Sequence, residues 1–275
     1  MLPDNINHTE DYKVYENSIH FDNNNKKNFT EYTSKNCYIT HIRNITYDSK
    51  MIEYKKLILD ICQKSCIDYN FSEIRPSTIV STEDLLHSGH LPSFEDNLYK
   101  IDDNNYLIPT SEVSIFGYII NDILTKQEIS EYKIFALTDC YRKENSATSK
   151  FNKPLIRQSC FEKNETFILC HKDNEINSFN LMIENVKNTL NKLNLKYRII
   201  NVCPKEMSKN AFIQYDFEVF FPSVQDYIEV SSVSLCINHQ IMRSPIYKIA
   251  QHYSTLNASC LPINRIIAAL IDYNK

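Results

Sequence analysis

Residues 215–236 read YDFEVFF, PSVQ, DYIEVSSVSLC. Two runs rich in β-branched and aromatic residues, 215–221 and 226–236, flank a four-residue connection that opens with Pro222. That composition, bounded by a turn, reads as two strands, and so short a connection suggests an antiparallel hairpin. Upstream, 197–203 (YRIINVC) reads as a further strand. Before it, Ile176, Phe179, Ile183, Val186, Leu190 and Leu193 recur at spacings of three and four, which predicts a helix over 174–193. Downstream, an apolar helix is expected over roughly 262–273, with Pro262 suited to its first turn. Nearer the start, Met51, Tyr54, Ile58, Ile61 and Cys62 share one face of a helix over 51–68. The stretch SEIRPSTIVS (72–81) follows, where Pro76 opposes a helix and the β-branched run after it favours a strand. Runs of strands with helices between them predict an α+β domain, an antiparallel sheet flanked by helices. Residues 1–50 read as a polar, asparagine-rich segment leading into that core of 51–275, with 22–28 (DNNNKKN) as its clearest loop.

Composition narrows the chemistry. Average usage would put glycine near 7% of positions, about 19 in a chain of this length; this one has 2 in 275, Gly89 and Gly117. That excludes a glycine-rich phosphate loop and a GxGxxG turn, so any nucleotide must be held by side chains and non-glycine backbone. The scarcity of residues with GC-rich codons points to an AT-rich genome. With 43% hydrophobic and 23% charged residues the chain can build a core, and a net charge of −4 gives no global basic field. No apolar run or leader is visible, so no membrane span is expected and the cytoplasm is the expected location. The nine cysteines form no CxxC pair. Cys62 and Cys66, four apart on one helix, read as small buried hydrophobes or as a metal pair.

The seven arginines are few enough for their positions to matter. Arg142 lies in CYRKE (140–144), Arg157 opens RQSCFEKNE (157–165), and Arg265 sits near the start of the last helix. Glu229-Val230-Ser231-Ser232 lies on a strand, and Thr110-Ser111-Glu112 follows the apolar stretch 106–109. Singly each has an ordinary reading: a surface ion pair, an outward polar strand position, a helix N-cap at Thr110.

In this order the stretches resemble the class II aminoacyl-tRNA synthetase core, specifically seryl-tRNA synthetase, from about residue 50 onward. Arg75-Pro76 resembles motif 1, whose strand helps form a homodimer in that family. LHSGHLP (86–92) and FEDNLY (94–99) resemble the stretch before the amino-acid pocket. Residues 141–144 and 157–165 resemble the two arms of motif 2, and 256–265 resembles motif 3. The resemblance implies ATP-dependent activation of L-serine to seryl-adenylate and its transfer to tRNA(Ser), that is, a serine–tRNA ligase of translation. It implies Arg142, Arg265 and Glu229 as catalytic residues. ATP would be bound by Arg142, Lys143, Glu144, Arg157, Phe161, Glu229, Val230, Ser231, Ser232 and Arg265. Of these, Arg142 would hold the α-phosphate, Arg265 the γ-phosphate, and Phe161 would stack on adenine. It also implies serine binding by Thr110, Ser111, Glu112, Glu165, Asn257 and Ser259, and Mg²⁺ on Glu229 and Ser232. The residue types suit those tasks: arginine forks bind phosphate bidentately, hard oxygens bind Mg²⁺, and carboxylates accept from an ammonium and a hydroxyl.

The sequence also departs from the family. Only about 50 residues precede the first core helix, and they lack the heptads of the family's coiled-coil arm. Ala258, Cys260 and Asn264 stand where motif 3 is usually glycine, and the last two are expected to crowd the serine or ATP site. Cys260 keeps a zinc-dependent relative in view. Leu235 replaces a usual asparagine, and Met242 precedes Arg243 where two arginines are usual. The loop 143–153, with Lys143, Lys150 and Lys153, is a candidate contact for an acceptor stem. Two other readings follow from these departures: a catalytically impaired paralogue acting as a binding or regulatory module, and a ligase charging a carrier protein.

Overall fold

The computed structural model describes residues 9–19, 28–40, 44–144 and 153–273. In chain order the elements are β1 (Tyr12–Glu16), α1 (Phe29–Asn36), α2 (Ser49–Asp68), β2 (Ser72–Glu73), β3 (Ile79–Ser81), α3 (Thr82–His87), β4 (Asn105–Leu107) and α4 (Ser111–Lys126). They continue with β5 (Tyr132–Tyr141), β6 (Cys160–His171), α5 (Glu175–Lys192), β7 (Tyr197–Asn201), β8 (Ile213–Phe221), β9 (Asp226–Ile237), β10 (Tyr253–Pro262) and α6 (Ile263–Asp272). Eight strands form one sheet in the order β1-β7-β8-β9-β10-β6-β5-β2. Every neighbouring pair is antiparallel except β2 with β5. The β8–β9 hairpin read from 215–236 lies at its centre, and the expected α+β class holds.

Local signals account for the helices. Asp48 caps α2 by accepting from the Met51 amide, and Ser81 and Asp84 form a reciprocal capping box on α3. Asn28, the last residue of the expected loop, caps α1; 22–27 lie outside the described residues. On α5, Phe179, Ile183, Val186, Leu190 and Leu193 are buried as their spacing demands, while Ile176 is exposed at the rim. Pro262 sits one residue ahead of α6, at the N-cap with ψ of 114°, rather than in the first turn. The segment before residue 50 contributes to the sheet and to its packing: β1 pairs with β7, and Phe29 of α1 is buried edge-on against Phe221. No helix among the described residues is long and apolar enough to cross a membrane.

The two faces of the sheet carry different work. On one, α2, α5 and α6 pack over Tyr215, Phe217, Val219, Val230, Val233, Leu256 and Ile168. Each such side chain contributes about 1.5–3 kcal/mol on burial. On the other, α4 covers only the far half of β6, where Phe167 and Leu169 meet Ile115, Phe116 and Ile119. The near half of β6 stays uncovered on that face, and residues 161, 163 and 165 share it by strict alternation.

Two bulges set what else joins that face. The β8–β9 register shifts between Phe217 and Glu218, so Val230 is an extra residue on β9. Core-facing positions therefore run Ile228, Val230, Val233, Leu235. Without the shift, Glu229 and Ser232, three apart, would point to opposite faces; with it they share one. A second shift on β10, between Ser259 and Leu261, falls at Cys260.

The two glycines sit where little else fits. Gly89 has φ of +79°, and the Asn210 side chain lies where a Cβ would go. On α4, Gly117 leaves room for the Asp84 carboxylate, 2.9 Å from its would-be Cβ. Elsewhere left-handed backbone is taken by Asn70, Gln127, Glu144, Asn194, Gln225 and Ile237.

Candidate active site

A cleft on the uncovered face is lined by Arg142, Glu144, Arg157, Phe161, Glu229 and Arg265, joined by Gln158, Ser231, Ser259 and Asn264. Arg142, just past β5, donates from Nε to Pro109 O at 3.1 Å. Its guanidinium lies over the rings of Phe161 and Phe94, at 5.3 and 5.6 Å. Stacking of this kind fixes a long side chain while leaving its forked N–H groups free to bind an anion. Arg157 pairs with Glu144 at 2.6 Å. Arg265 donates to Ile156 O and Glu229 O and lies 3.6 Å from the Glu229 carboxylate, which is half exposed. Burial pulls Arg265 below the usual guanidinium range, with Glu229 opposing. Three arginines thus share one cleft, each held by backbone or by a carboxylate.

Beside this cleft lies a second, drier site. Thr110, the N-cap of α4, donates to Glu165 Oε2 at 2.8 Å and accepts from the Glu112 amide. Glu112 is buried in the first turn of α4, where Gln240 Nε2 donates to its Oε1 at 2.6 Å and Asn257 also bonds it. Burial, reinforced by Glu165, pushes the Glu112 carboxyl up to about 7. Lys163 is 4% exposed. It donates to Thr110 Oγ1 at 2.8 Å and Ser259 Oγ at 3.1 Å, and it forms an ion pair with Glu165.

A third cluster lies across β8 and β9. Asp216 accepts from Gln214 Nε2 at 2.9 Å and from Ser232, and it faces Glu229. Burial, then the Glu229 charge, pushes Asp216 up to about 7. Two carboxylates and a hydroxyl on one face are a donor set of hard oxygens that suits a small divalent cation.

Most residues expected in the site therefore gather on this face. Others do not reach it with their side chains. Val230 points into the helix-covered core, leaving only its backbone to the cleft. Lys143 is exposed, its backbone amide bonded to Asn97 O, and it does not line the cleft. Ser111 is buried, and its hydroxyl has no partner among the described residues. Cys260 does not crowd the pocket as expected: the β10 alternation and bulge turn it to the opposite face, beside Cys66 and Asn185. Asn264 does border the cleft, but its amide is tied to Leu155 O at 2.8 Å. Of the basic loop 143–153, residues 145–152 lie outside the described residues.

Lys163 had a readable signal, two positions before Glu165 on a strand. Asp216 needs the β8–β9 register to be seen, and Gln240, on the turn after β9, has no local signal at all.

Residues 94–274 match the family described as the tRNA synthetase class II core domain (G, H, P, S and T). The chain belongs to the class II tRNA synthetases. The serine–tRNA ligase of Ureaplasma parvum serovar 3 is 34% identical over 245 residues, covering 86% of this chain and 58% of the relative. The chain thus spans little more than half of such relatives. The seryl-tRNA synthetase from Pyrococcus horikoshii complexed with ATP superposes with a TM-score of 0.80 at 22% identity, over 91% of this chain and 59% of that one. The cytoplasmic serine–tRNA ligase from Naegleria fowleri in complex with AMP gives 0.84 at 18%, over 97% and 61%. At these identities the likeness concerns the synthetase fold.

Proposed function

We propose that this class II core activates L-serine with ATP and passes it to tRNA(Ser). The observation that carries the reading is two unlike sites side by side on one sheet face: a buried cluster of Thr110, Glu112 and Glu165 borders a cleft of three arginines, with Ser259 and Lys163 at their junction. In the reaction a serine carboxylate oxygen attacks the α-phosphorus of ATP. The bond to the β-phosphate breaks, and pyrophosphate leaves with its electron pair. A ribose hydroxyl at the tRNA 3′ end then attacks the acyl carbon, and AMP departs. Neither step needs a protein nucleophile; both need positioning and charge neutralisation.

Arg142 neutralises the α-phosphate and Arg265 the terminal phosphate, while Phe161 offers a face to adenine. Glu165 and Glu112 accept from the serine ammonium and hydroxyl. A pocket built to bond that hydroxyl rejects alanine, because its polar groups would be left unpaired. Glu229 and Ser232, with Asp216, would hold Mg²⁺, which neutralises phosphate charge when bound. The names of the relatives support serine and tRNA as substrates. A homodimer through the segment around Arg75 and a cytoplasmic location belong to the same proposal.

Serine-dependent ATP–pyrophosphate exchange, run against all twenty amino acids with Mg²⁺, tests it. Exchange with serine alone is expected. No exchange with any amino acid overturns it in favour of the impaired paralogue, and exchange with serine but transfer only to a carrier protein overturns the tRNA assignment.

A further inference from the structure

Among the described residues, Lys163 is the cation bonded within the amino-acid pocket. Its three partners, Thr110, Glu165 and Ser259, come from three elements, the N-cap of α4, β6 and β10. They are also three of the groups that the proposed function gives to serine. An ammonium on a flexible stem is therefore bonded to acceptors that suit another ammonium. Lys163 also lines the arginine cleft. It thus stands where the two sites meet, with Arg142 and His90 near enough on the cleft side for its charge to be felt by His90. On the pocket side it faces Glu112 and Glu165.

Two physical pressures explain the arrangement. Carboxylates in a dry pocket are costly without a counter-charge, so an empty pocket needs a resident cation. An arriving ammonium supplies that charge and competes for the same acceptors. Lys163, on the interior strand β6, lines the cleft while its Nζ bonds Thr110 and Ser259, and a lysine stem is flexible enough to redirect its charge.

We propose that Lys163 is an internal stand-in for the substrate ammonium. It holds Thr110, Glu165 and Ser259 while the pocket is empty, yields them when the amino acid binds, and turns its charge to the junction where carboxylate and α-phosphate meet. The proposal rests on the amino-acid-activating reading. It makes Lys163 a participant twice: as a competitor that weakens ground-state binding, and as a donor that stabilises the transition state. Those two roles move kinetic constants in opposite senses, which a purely structural lysine does not do.

The test pairs kinetics with a direct view of the side chain. In exchange assays Lys163→Met is expected to lower kcat by about 100-fold or more, the size of losing one preorganised donor. KM for serine is expected to stay the same or fall. Lys163→Arg, which keeps the charge, recovers part of kcat. In the wild-type chain, ¹⁵N-lysine spectra follow the Nζ signal, assigned by its absence in Lys163→Met; adding L-serine alone shifts it, and adding ATP alone does not. The variant serves the assignment alone, for which the charge-keeping Lys163→Arg also suffices; the titration is read on the wild-type chain. A raised KM with kcat intact, or an Nζ signal indifferent to serine in a chain that catalyses exchange, overturns the stand-in and leaves the function standing. No exchange by the wild-type chain with any amino acid overturns the function, and the stand-in with it.

Discussion

The arginine cleft and the carboxylate pocket share one sheet face and a wall, yet they use opposite physics. The cleft is cationic and partly open, and its arginines are steadied by carbonyls, rings and the carboxylates of Glu144 and Glu229. Their charge persists even where burial lowers the pKa, as at Arg265. The pocket is anionic and dry, and burial sets the state of Glu112. Cleft residues should therefore matter for rate and little for stability, whereas pocket residues should matter for both.

The largest effect expected is on rate. Arg142→Ala or Arg265→Ala should lower exchange about 1,000-fold, in line with the loss of a preorganised charge donor, while thermal unfolding moves by little. A large drop in the melting temperature of Arg142→Ala would erase the contrast. Next comes Glu165→Gln, which leaves the buried Lys163 ammonium without its counter-ion. It should cost roughly 3–5 kcal/mol of stability, read by denaturant unfolding, and should abolish serine-dependent exchange as well.

Glu112 gives the pH test. Its carboxyl ionises near 4.5 in the unfolded chain and near 7 in the folded one. Below 4.5 both states are protonated and nothing is lost. Between 4.5 and 7 the unfolded state ionises first, so this group lowers stability as pH rises, by roughly 3 kcal/mol once above 7. Glu112→Gln should therefore stabilise the chain at pH 8 but hardly at pH 4, and it should impair serine use. Serine affinity in the wild type should rise with pH toward 7, because the ammonium binds the ionised carboxylate. The smallest effect is at Arg157: its partly exposed pair with Glu144 should contribute about 1 kcal/mol or less, and Arg157→Ala should show itself in KM for ATP.

The same contrast explains what sequence reading could reach. The helix over 175–192 and the hairpin over 213–237 are legible because periodicity is a local property. The arginines are legible because they are scarce. What escapes depends on strand neighbours: the bulge at Val230 that brings Glu229 and Ser232 together, the turning of Cys260 away from the pocket, the pairing of β1 with β7, and the reach of Gln240 to Glu112. Side-chain size alone predicts a crowded motif 3, whereas the face each side chain takes turns Cys260 away from the pocket. Cys260→Ala should accordingly leave exchange intact and cost stability alone, measured as a lowered unfolding midpoint.

The left-handed positions carry a consequence of another kind. A side chain held at positive φ costs roughly 1–2 kcal/mol relative to a right-handed position, less for asparagine. Ile237, β-branched at φ of 44°, and Gln127 and Gln225, at 54° and 53°, bear that cost outright. Each of these turns is therefore a deposit of unused thermostability at a known address. One nucleotide change does not reach glycine from isoleucine or glutamine, so the gain is remote from chance mutation and open to design.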